Sequence, residues 1–467
     1  MTVTNIFYVL VDSVRNYRKT NIDHRDKLAY MDLFADESVY FSSMITSAPS
    51  TIMSVSAMMT SKPSYFLAKN YQEFKYNKSL FSSLPLILKR ENFKPRSVIF
   101  FKEGREKFNS FFKHVPCQFF PKNVSHCDKS WSNLTVEKIF NNFISSKQFS
   151  SKDKNFFYLH FNCRNDPNTS EIVERTIEKI KKIDNDSLII LCSDHGYPDP
   201  DRGYTPEKIK RDFGTHDVVM TNDNLTIPFY VRFPRGKKVH VDKRLVSTLD
   251  IAPTILDILG LNYKNYEFFG DSLFALDYKE NFVRSDARYL YQDNKKTSIM
   301  SSQYKLIYSH DERKFELFDL QNDPLEENAV SLNSSNEAKQ FELKAKKFLF
   351  KTESVAFFLN SLESTMLISY KSNCINLIFQ NKRRKDYLDF IEVLKSEFPY
   401  KFLINAKDKS IPTIDIDSFG YLNASYKVEN PPKISKVKNI AMALKNNSYF
   451  YIQEPSCFFK DLYKFIL

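Results

Sequence analysis

Two short apolar runs, far apart in the chain, end in the same kind of polar group. Residues 5–11 (Asn-Ile-Phe-Tyr-Val-Leu-Val) lead into Asp12-Ser13-Val14-Arg15, and Leu188–Cys192 leads into Ser193-Asp194-His195-Gly196. Apolar runs this short, bounded by turn residues, predict buried strands of a parallel sheet rather than helices. The carboxyl end of such a strand is where open α/β sheets bind ligands, and Gly196 predicts a sharp backbone turn there. The neighbouring carboxylate and imidazole of Asp194 and His195 suit one hard or borderline metal ion; the plain alternative is a capping Asp beside a solvated His. Asp12 is either a second acid at the same sheet edge or an ordinary helix N-cap.

A third pattern lies at residues 46–64. Pro49 is followed by hydroxyl residues and then by small and apolar ones, which predicts a loop entering a tightly packed helix. The N-terminus of that helix would offer free N–H groups and a positive dipole end to phosphate or sulfate oxygens. Each of Ser50, Thr51, Ser54 and Ser56 is a capping hydroxyl or, for one of them, a nucleophile whose pKa a metal lowers. Residues 65–150 are rich in Phe, Lys and Ser, with a helical stretch at Ser79–Arg90. Past residue 350 the pattern predicts strands at Cys374–Gln380 and Lys401–Asn405 and an amphipathic helix at Asp386–Phe398. A helix–strand pair follows at Lys436–Leu444 and Tyr449–Ile452.

With its three N-terminal segments in this order, the chain resembles the sulfatase and alkaline-phosphatase superfamily. Val11-Asp12-Ser13-Val14-Arg15 matches the opening Val-Asp-Ser/Asp-x-Arg, and Ser193–Gly196 matches Ser-Asp-His-Gly. The nucleophile segment, Cys/Ser/Thr-x-Pro-Ser-Arg and then Thr-Gly, falls with its nucleophile on Thr51, its Ser on Ser54 and its Thr on Thr60. Leu249–Asp257 resembles the Asp-x-x-Pro-Thr-x-x-Asp helix and Gly270–Leu273 the Gly-x-Ser-Leu turn. Tyr304–Ile307, Glu316–Leu320 and Asn322–Glu326 are similar to the C-terminal strand signature. The resemblance runs from about residue 4 to 330.

It implies an ion held by Asp12, Thr51, Asp194 and His195, with Zn²⁺ or Mn²⁺ ahead of Ca²⁺ or Mg²⁺. It also implies a covalent intermediate on Thr51. Three departures shape the chemistry: Thr51 stands where sulfatases convert Cys or Ser to formylglycine, Met53 replaces Pro and Val55 replaces Arg. Threonine cannot give formylglycine. Thr51 therefore resembles the metal-activated threonine of the phosphodiesterase and the phosphoglycerol- or phosphoethanolamine-transferase branches. Ser61 takes the place of the motif's closing Gly, a milder change. His216, in Gly214-Thr215-His216-Asp217, sits where phosphate-processing members place a His that contacts the transferred group or a second metal. His160 and Asp166 are further candidates for a second site, with a buried structural role the alternative for His160.

Composition adds limits. No apolar run is long enough to span a membrane, and residues 5–11 are too short, and lack the following cleavage site, for a signal peptide. Six scattered Cys show no zinc spacing, so reduced thiols in a cytoplasm are the simplest expectation. The net charge of +12 is spread along the chain, clustering only at Lys382–Lys385 and Arg235–Lys238. It predicts a solvated surface that attracts anionic substrates, not a nucleic-acid partner. Eight Gly beside 43 Phe and 26 Tyr point to A/T-biased coding and carry no functional message.

The expected fold is an alkaline-phosphatase-like α/β core, a mostly parallel sheet between helices, over residues 1–279. A smaller C-terminal sheet spans 280–345, and an extra α/β module, suited to packing or oligomer contacts, spans 346–467. The expected function is metal-dependent hydrolysis or transfer of a phosphate ester, on an anionic small-molecule or glycan-linked substrate. The alternatives are a sulfate-ester hydrolase without formylglycine and a catalytically silent binding subunit.

Overall fold

The computed structural model describes residues 3–16, 29–64, 83–99, 132–163, 166–198, 215–236, 238–266, 268–278, 282–287, 295–330, 335–360, 366–371, 374–379, 401–406 and 449–452. It divides into two compact units, Met1–Glu342 and Leu343–Leu467. In the first, the apolar run at the N-terminus becomes β1 (Asn5–Asp12), flanked by β4 (Asn155–Asn162) and β5 (Leu188–Cys192), both parallel to it. Their residues are almost entirely buried, as parallel strands covered on both faces must be.

The full sheet has eight strands, ordered β3-β4-β1-β5-β6-β2-β7, with β8 beside β2. The added strands are β2 (Val39–Ile45), β3 (Lys94–Ile99), β6 (Thr226–Arg232), β7 (His240–Asp242) and β8 (Val246–Ser247). Only β6 runs against its neighbours β5 and β2, so the expected mostly parallel sheet is present with β1 and β5 at its centre.

Period-2 alternation sorts side chains onto two cores. Tyr8, Leu10, Tyr158 and Cys192 face one core. They meet α2 (Thr51–Thr60), which follows the short helix α1 (Ala29–Ala35). Phe7, Val9, Phe157 and Leu159 face the other core. There Phe7 stacks on Phe157 at 5.2 Å and meets Phe140 edge-on at 6.0 Å. The expected helix at 79–90 is α3 (Leu84–Arg90), and residues 79–82 lie outside the described residues. The helices α4 (Asn133–Ile144) and α5 (Thr169–Ile183) follow, and both put buried residues into this second core.

The smaller sheet is antiparallel, ordered β12-β11-β10-β9, from β9 (Val283–Asp286), β10 (Lys296–Met300), β11 (Tyr304–Ser309) and β12 (Lys314–Asp319). It is joined to the large sheet by a buried polar knot. Lys305, fully buried on β11, pairs with Glu326 and donates to Asn222 Oδ1 at 3.2 Å, and the Asn222 N–H donates to Glu326 Oε2 at 2.6 Å. Asn222 opens α6 (Asn222–Leu225), which feeds directly into β6.

In the second unit, β13 (Met366–Lys371), β14 (Cys374–Phe379), β15 (Lys401–Ala406) and β16 (Tyr449–Ile452) form a four-stranded sheet ordered β15-β14-β13-β16. β13 was not anticipated from the sequence; the expected helices at 386–398 and 436–444 lie outside the described residues. Among the described residues no helix is long and apolar enough to cross a membrane. At the Arg235–Lys238 cluster, Arg235 forks onto Asp186 through two 2.8 Å bonds and Lys238 lies over the Phe233 ring at 4.5 Å, so these two charges are locally engaged.

Removing one partner of a buried pair leaves the other charge uncompensated. Lys305→Met is therefore expected to lower stability by about 3–5 kcal/mol, measured by denaturant unfolding. Adding Glu326→Gln, which keeps the acceptor for Asn222, should recover most of that loss. An unchanged midpoint in the single variant would contradict the joint.

Candidate active site

Parallel register carries the strand ends into one row. Asp12 pairs with Asn162 across β1 and β4, while Leu10 pairs with Cys192 across β1 and β5, which sets Asp194 two residues further on beside Asp12. The two acids expected at the sheet edge are thus neighbours in space. His195 Nε2 lies 3.5 Å from Asp12 Oδ1 and 3.6 Å from Asp194 Oδ2. The His195 Nδ1–H donates to the Gly196 carbonyl at 2.7 Å, so the ring's lone pair is on Nε2, facing the acids.

Thr51 is the first residue of α2, as the Pro49-hydroxyl pattern predicted, and its Oγ1 is 3.1 Å from His195 Nε2. Its N-cap, Ser50, makes no side-chain cap bond to the first turn. The Asp12 alternative, a helix N-cap, does not hold: residues 13–16 are not helical, and the carboxylate accepts from the Ser13 hydroxyl at 2.6 Å and from Asn162 Nδ2 at 2.9 Å.

The Asp194 carboxylate is fully buried. Its Oδ1 accepts the N–H groups of His195 at 2.9 Å and Ser13 at 3.2 Å, but its Oδ2 has no hydrogen-bond partner. A bare buried carboxylate oxygen is costly unless a cation meets it. Burial, helped by the negative Asp12, holds the Asp194 carboxyl above its usual pKa. Burial pushes Asp12 the same way, but the positive charge that His195 and His160 carry when protonated outweighs it and holds Asp12 below. Oxygen and nitrogen atoms 3.5–3.6 Å apart suit a tetrahedral ion with bonds of about 2.1–2.2 Å or a larger octahedral one at about 2.5 Å. The residues therefore fit a divalent ion.

His160 also converges here. Asp12, His160 and Asp194 each offer a ligand atom, all within 4.8 Å of one another. His160 is buried, which lowers its pKa, and its Nδ1 is 3.2 Å from the Tyr158 hydroxyl. His216, in a short 3-10 turn, stacks on His195 with ring centroids 4.7 Å apart, and its Nε2 meets Asp217 at 3.1 Å. Burial works against its charge, but the Asp217 carboxylate prevails and raises its pKa. Gly214 lies outside the described residues. Asp166 is not in the cluster: its Oδ1 accepts from the Asn168 N–H at 3.0 Å, closing the turn before α5.

Gly196 corrects one expectation. It is absent from the glycines with positive φ, so no special turn conformation explains it. The reason is close approach, because a Cβ there would lie 2.1 Å from the Asp223 carbonyl oxygen. Ser13 and Ser54, matched in the sequence as motif residues, prove to be positioning residues. Ser13 sits in the left-handed region, at φ 66°, where its N–H holds Asp194 and its hydroxyl holds Asp12. Ser54 Oγ donates to the Asp194 carbonyl at 2.7 Å and lies 2.8 Å from Thr46 Oγ1, tying α2 to β5. The small sheet clamps the same loop, with the Ser285 hydroxyl on the Thr46 carbonyl and the Asp286 N–H on the Ser47 carbonyl at 3.0 Å.

Comparison with known proteins agrees with this architecture. The Sulfatase family model matches residues 4–171, and the model for the C-terminal part of N-sulphoglucosamine sulphohydrolase matches 212–353. A lipoteichoic acid synthase of Staphylococcus saprophyticus is 29% identical over 147 residues, and that of Staphylococcus aureus is 26% identical over 145. These matches cover 29% and 28% of this chain but only 22% of each relative, so the match spans about a fifth of their length.

Among solved structures, a protein of Bacteroides thetaiotaomicron assigned as a sulfatase superposes with a TM-score of 0.57 at 12% identity, covering 76% of this chain and 92% of its own. The phosphonate monoester hydrolase of Agrobacterium radiobacter superposes with a TM-score of 0.51 at 13% identity, covering 76% and 96%. The chain belongs to the sulfatase and alkaline-phosphatase superfamily, whose members are enzymes acting on ester bonds and generally use divalent metal ions.

Ser13 yields a test of the site's internal strain. A non-Gly residue in the left-handed region costs about 1–2 kcal/mol. Ser13→Gly should therefore unfold at higher denaturant than Ser13→Ala, while both lose turnover because Asp12 loses its hydroxyl donor. Equal stability of the two variants would show that the strain is not there.

Proposed function

We propose that this chain is a metal-dependent enzyme that cleaves or transfers a phosphate ester, diester or monoester, with Thr51 as nucleophile. The observation that carries this reading is the Thr51 hydroxyl 3.1 Å from His195 Nε2, at the start of a helix and beside the bare, buried Asp194 Oδ2. Asp12, Asp194, His195 and Thr51 would hold the ion, Zn²⁺ or Mn²⁺ ahead of Ca²⁺ or Mg²⁺. Bound there, it would lower the pKa of the Thr51 hydroxyl and offset negative charge on the transferred group.

Thr51 Oγ1 gives its proton to solvent water and attacks phosphorus; the new P–O bond forms while the bond to the leaving oxygen breaks in line. The uncapped first turn of α2 supplies N–H donors for the non-bridging oxygens. His216, whose pKa the Asp217 carboxylate raises, donates when protonated to the transferred group or to the leaving oxygen. Water or an acceptor hydroxyl then attacks phosphorus, the bond to Thr51 breaks, and Thr51 regains its proton. The substrate proposed is an anionic small-molecule or glycan-linked ester.

A second reading, hydrolysis of a sulfate ester by direct attack of Thr51 on sulfur, draws on the match of residues 212–353 to the N-sulphoglucosamine sulphohydrolase C-terminal model. The two readings separate in a panel of aryl phosphate, phosphodiester and aryl sulfate, assayed with the full chain in Mn²⁺ or Zn²⁺. Phosphate-ester turnover is expected to dominate. Thr51→Ala should lose several orders of magnitude in turnover while still binding metal, and Thr51→Ser should keep measurable activity. Turnover of the sulfate alone would replace the first reading by the second, and full activity of Thr51→Ala would overturn both.

A further inference from the structure

The face of β4 that looks toward the site carries three polar residues in succession: Tyr158, His160 and Asn162. Asn162 shares a row with Asp12, and His160 lies one row deeper, level with Leu10 on β1, which in turn is level with Cys192 on β5. Both row neighbours belong to the buried core of this face. Packing at this level calls for an apolar side chain, yet an imidazole is buried here with a ring nitrogen within 4.8 Å of carboxylate oxygens of both Asp12 and Asp194. Beneath it, the Tyr158 hydroxyl, also fully buried, reaches its Nδ1 at 3.2 Å. The partnerless Asp194 Oδ2 belongs to the same cluster.

We propose that His160 is a further ligand of the ion at Asp12, Asp194 and His195, coordinating through Nε2, and that Tyr158 is the positioning residue that fixes its tautomer. With the Tyr158 hydroxyl accepting the Nδ1–H, the lone pair stands on Nε2, the nitrogen left for the ion. An acceptor for the other ring N–H is what metal-bound imidazoles generally have. His160 thus joins the first centre rather than building a second one. Two imidazole nitrogens and two carboxylates form a donor set that favours Zn²⁺ or Mn²⁺ over Ca²⁺ or Mg²⁺, which prefer oxygen alone. This inference rests on the reading that Asp12, Asp194 and His195 hold an ion, and it names the class of ion they select.

The test is calorimetric titration of the chelator-stripped full chain with ZnCl₂, MnCl₂ and CaCl₂, which needs no substrate. The wild-type chain should bind one ion, Zn²⁺ and Mn²⁺ tighter than Ca²⁺. His160→Ala should still bind one ion, with Zn²⁺ affinity lowered about 10–100-fold and Ca²⁺ affinity little changed. Tyr158→Phe should lower Zn²⁺ affinity about tenfold without moving the thermal melt, which a purely structural tyrosine would not do. His160→Asn serves as the second variant should the alanine fail to fold. Retention of the full Zn²⁺-over-Ca²⁺ preference in whichever His160 variant folds overturns the inference, as do two ions per wild-type chain. Asp194→Ala controls for the underlying reading: loss of all binding keeps it, whereas wild-type binding in that variant overturns the metal centre itself.

Discussion

Two carboxylates that the strands place side by side, Asp12 and Asp194, are the constraint on which the rest of this structure turns. Parallel pairing of β1 with β4 and β5 is driven by burial of continuous apolar runs, and it leaves no freedom in where those runs end. The acids must therefore meet, Asp194 fully buried and Asp12 half-buried, and the groups around them have to offset their repulsion. Much of the local structure manages that cost. Asp194 Oδ1 takes two backbone N–H groups and Asp12 takes a hydroxyl and an amide, whereas the His195 lone pair, facing both acids, adds to the need for positive charge. The remaining oxygen, Asp194 Oδ2, meets no hydrogen-bond donor, and the proposed ion would bind there.

The loop that carries Thr51, the proposed nucleophile, answers to the same centre. Thr51 is held at the acids from two sides: Ser54 ties its helix to the Asp194 backbone, and β9 grips residues 46 and 47 through Ser285 and Asp286. The small antiparallel sheet thus has a positioning task, and the buried Lys305–Glu326 pair fixes that sheet to the large one. Strain accepted at Ser13 and the tight approach of Gly196 to residue 223 fit this picture, since irregular backbone gathers where side chains must be aimed.

Much of this was legible in the sequence, and the reason is locality. β1 and β5 announce themselves as apolar runs, and Asp12, Asp194 and His195 follow directly on them. Thr51 was marked by the motif around it and by the helix start after Pro49. What escaped were residues whose meaning depends on register across 150 or more positions: Asn162 reaching Asp12, or Ser13 reaching Asp194. Ser, Asn and Tyr are common types; local motifs marked Ser13 and Ser54, but nothing nearby in sequence distinguishes Asn162 or Tyr158. His160 was read as a candidate for a second site or as a buried structural residue, and its nearness to both acids emerges from the pairing of β4 with β1. Gly196 was noticed for the wrong reason, because a close approach to residue 223 cannot be seen from residues 193–198. β13 fell within a stretch whose pattern was not read as a strand.

The most direct measurement is anomalous X-ray scattering from crystals of the full chain grown in Mn²⁺, recorded at the manganese edge. The account predicts one strong peak bonded to Asp12, Asp194 Oδ2 and His195 Nε2, with Thr51 Oγ1 turned toward it. A map with no peak between the two carboxylates, or with the ion bound elsewhere on the chain, would contradict it.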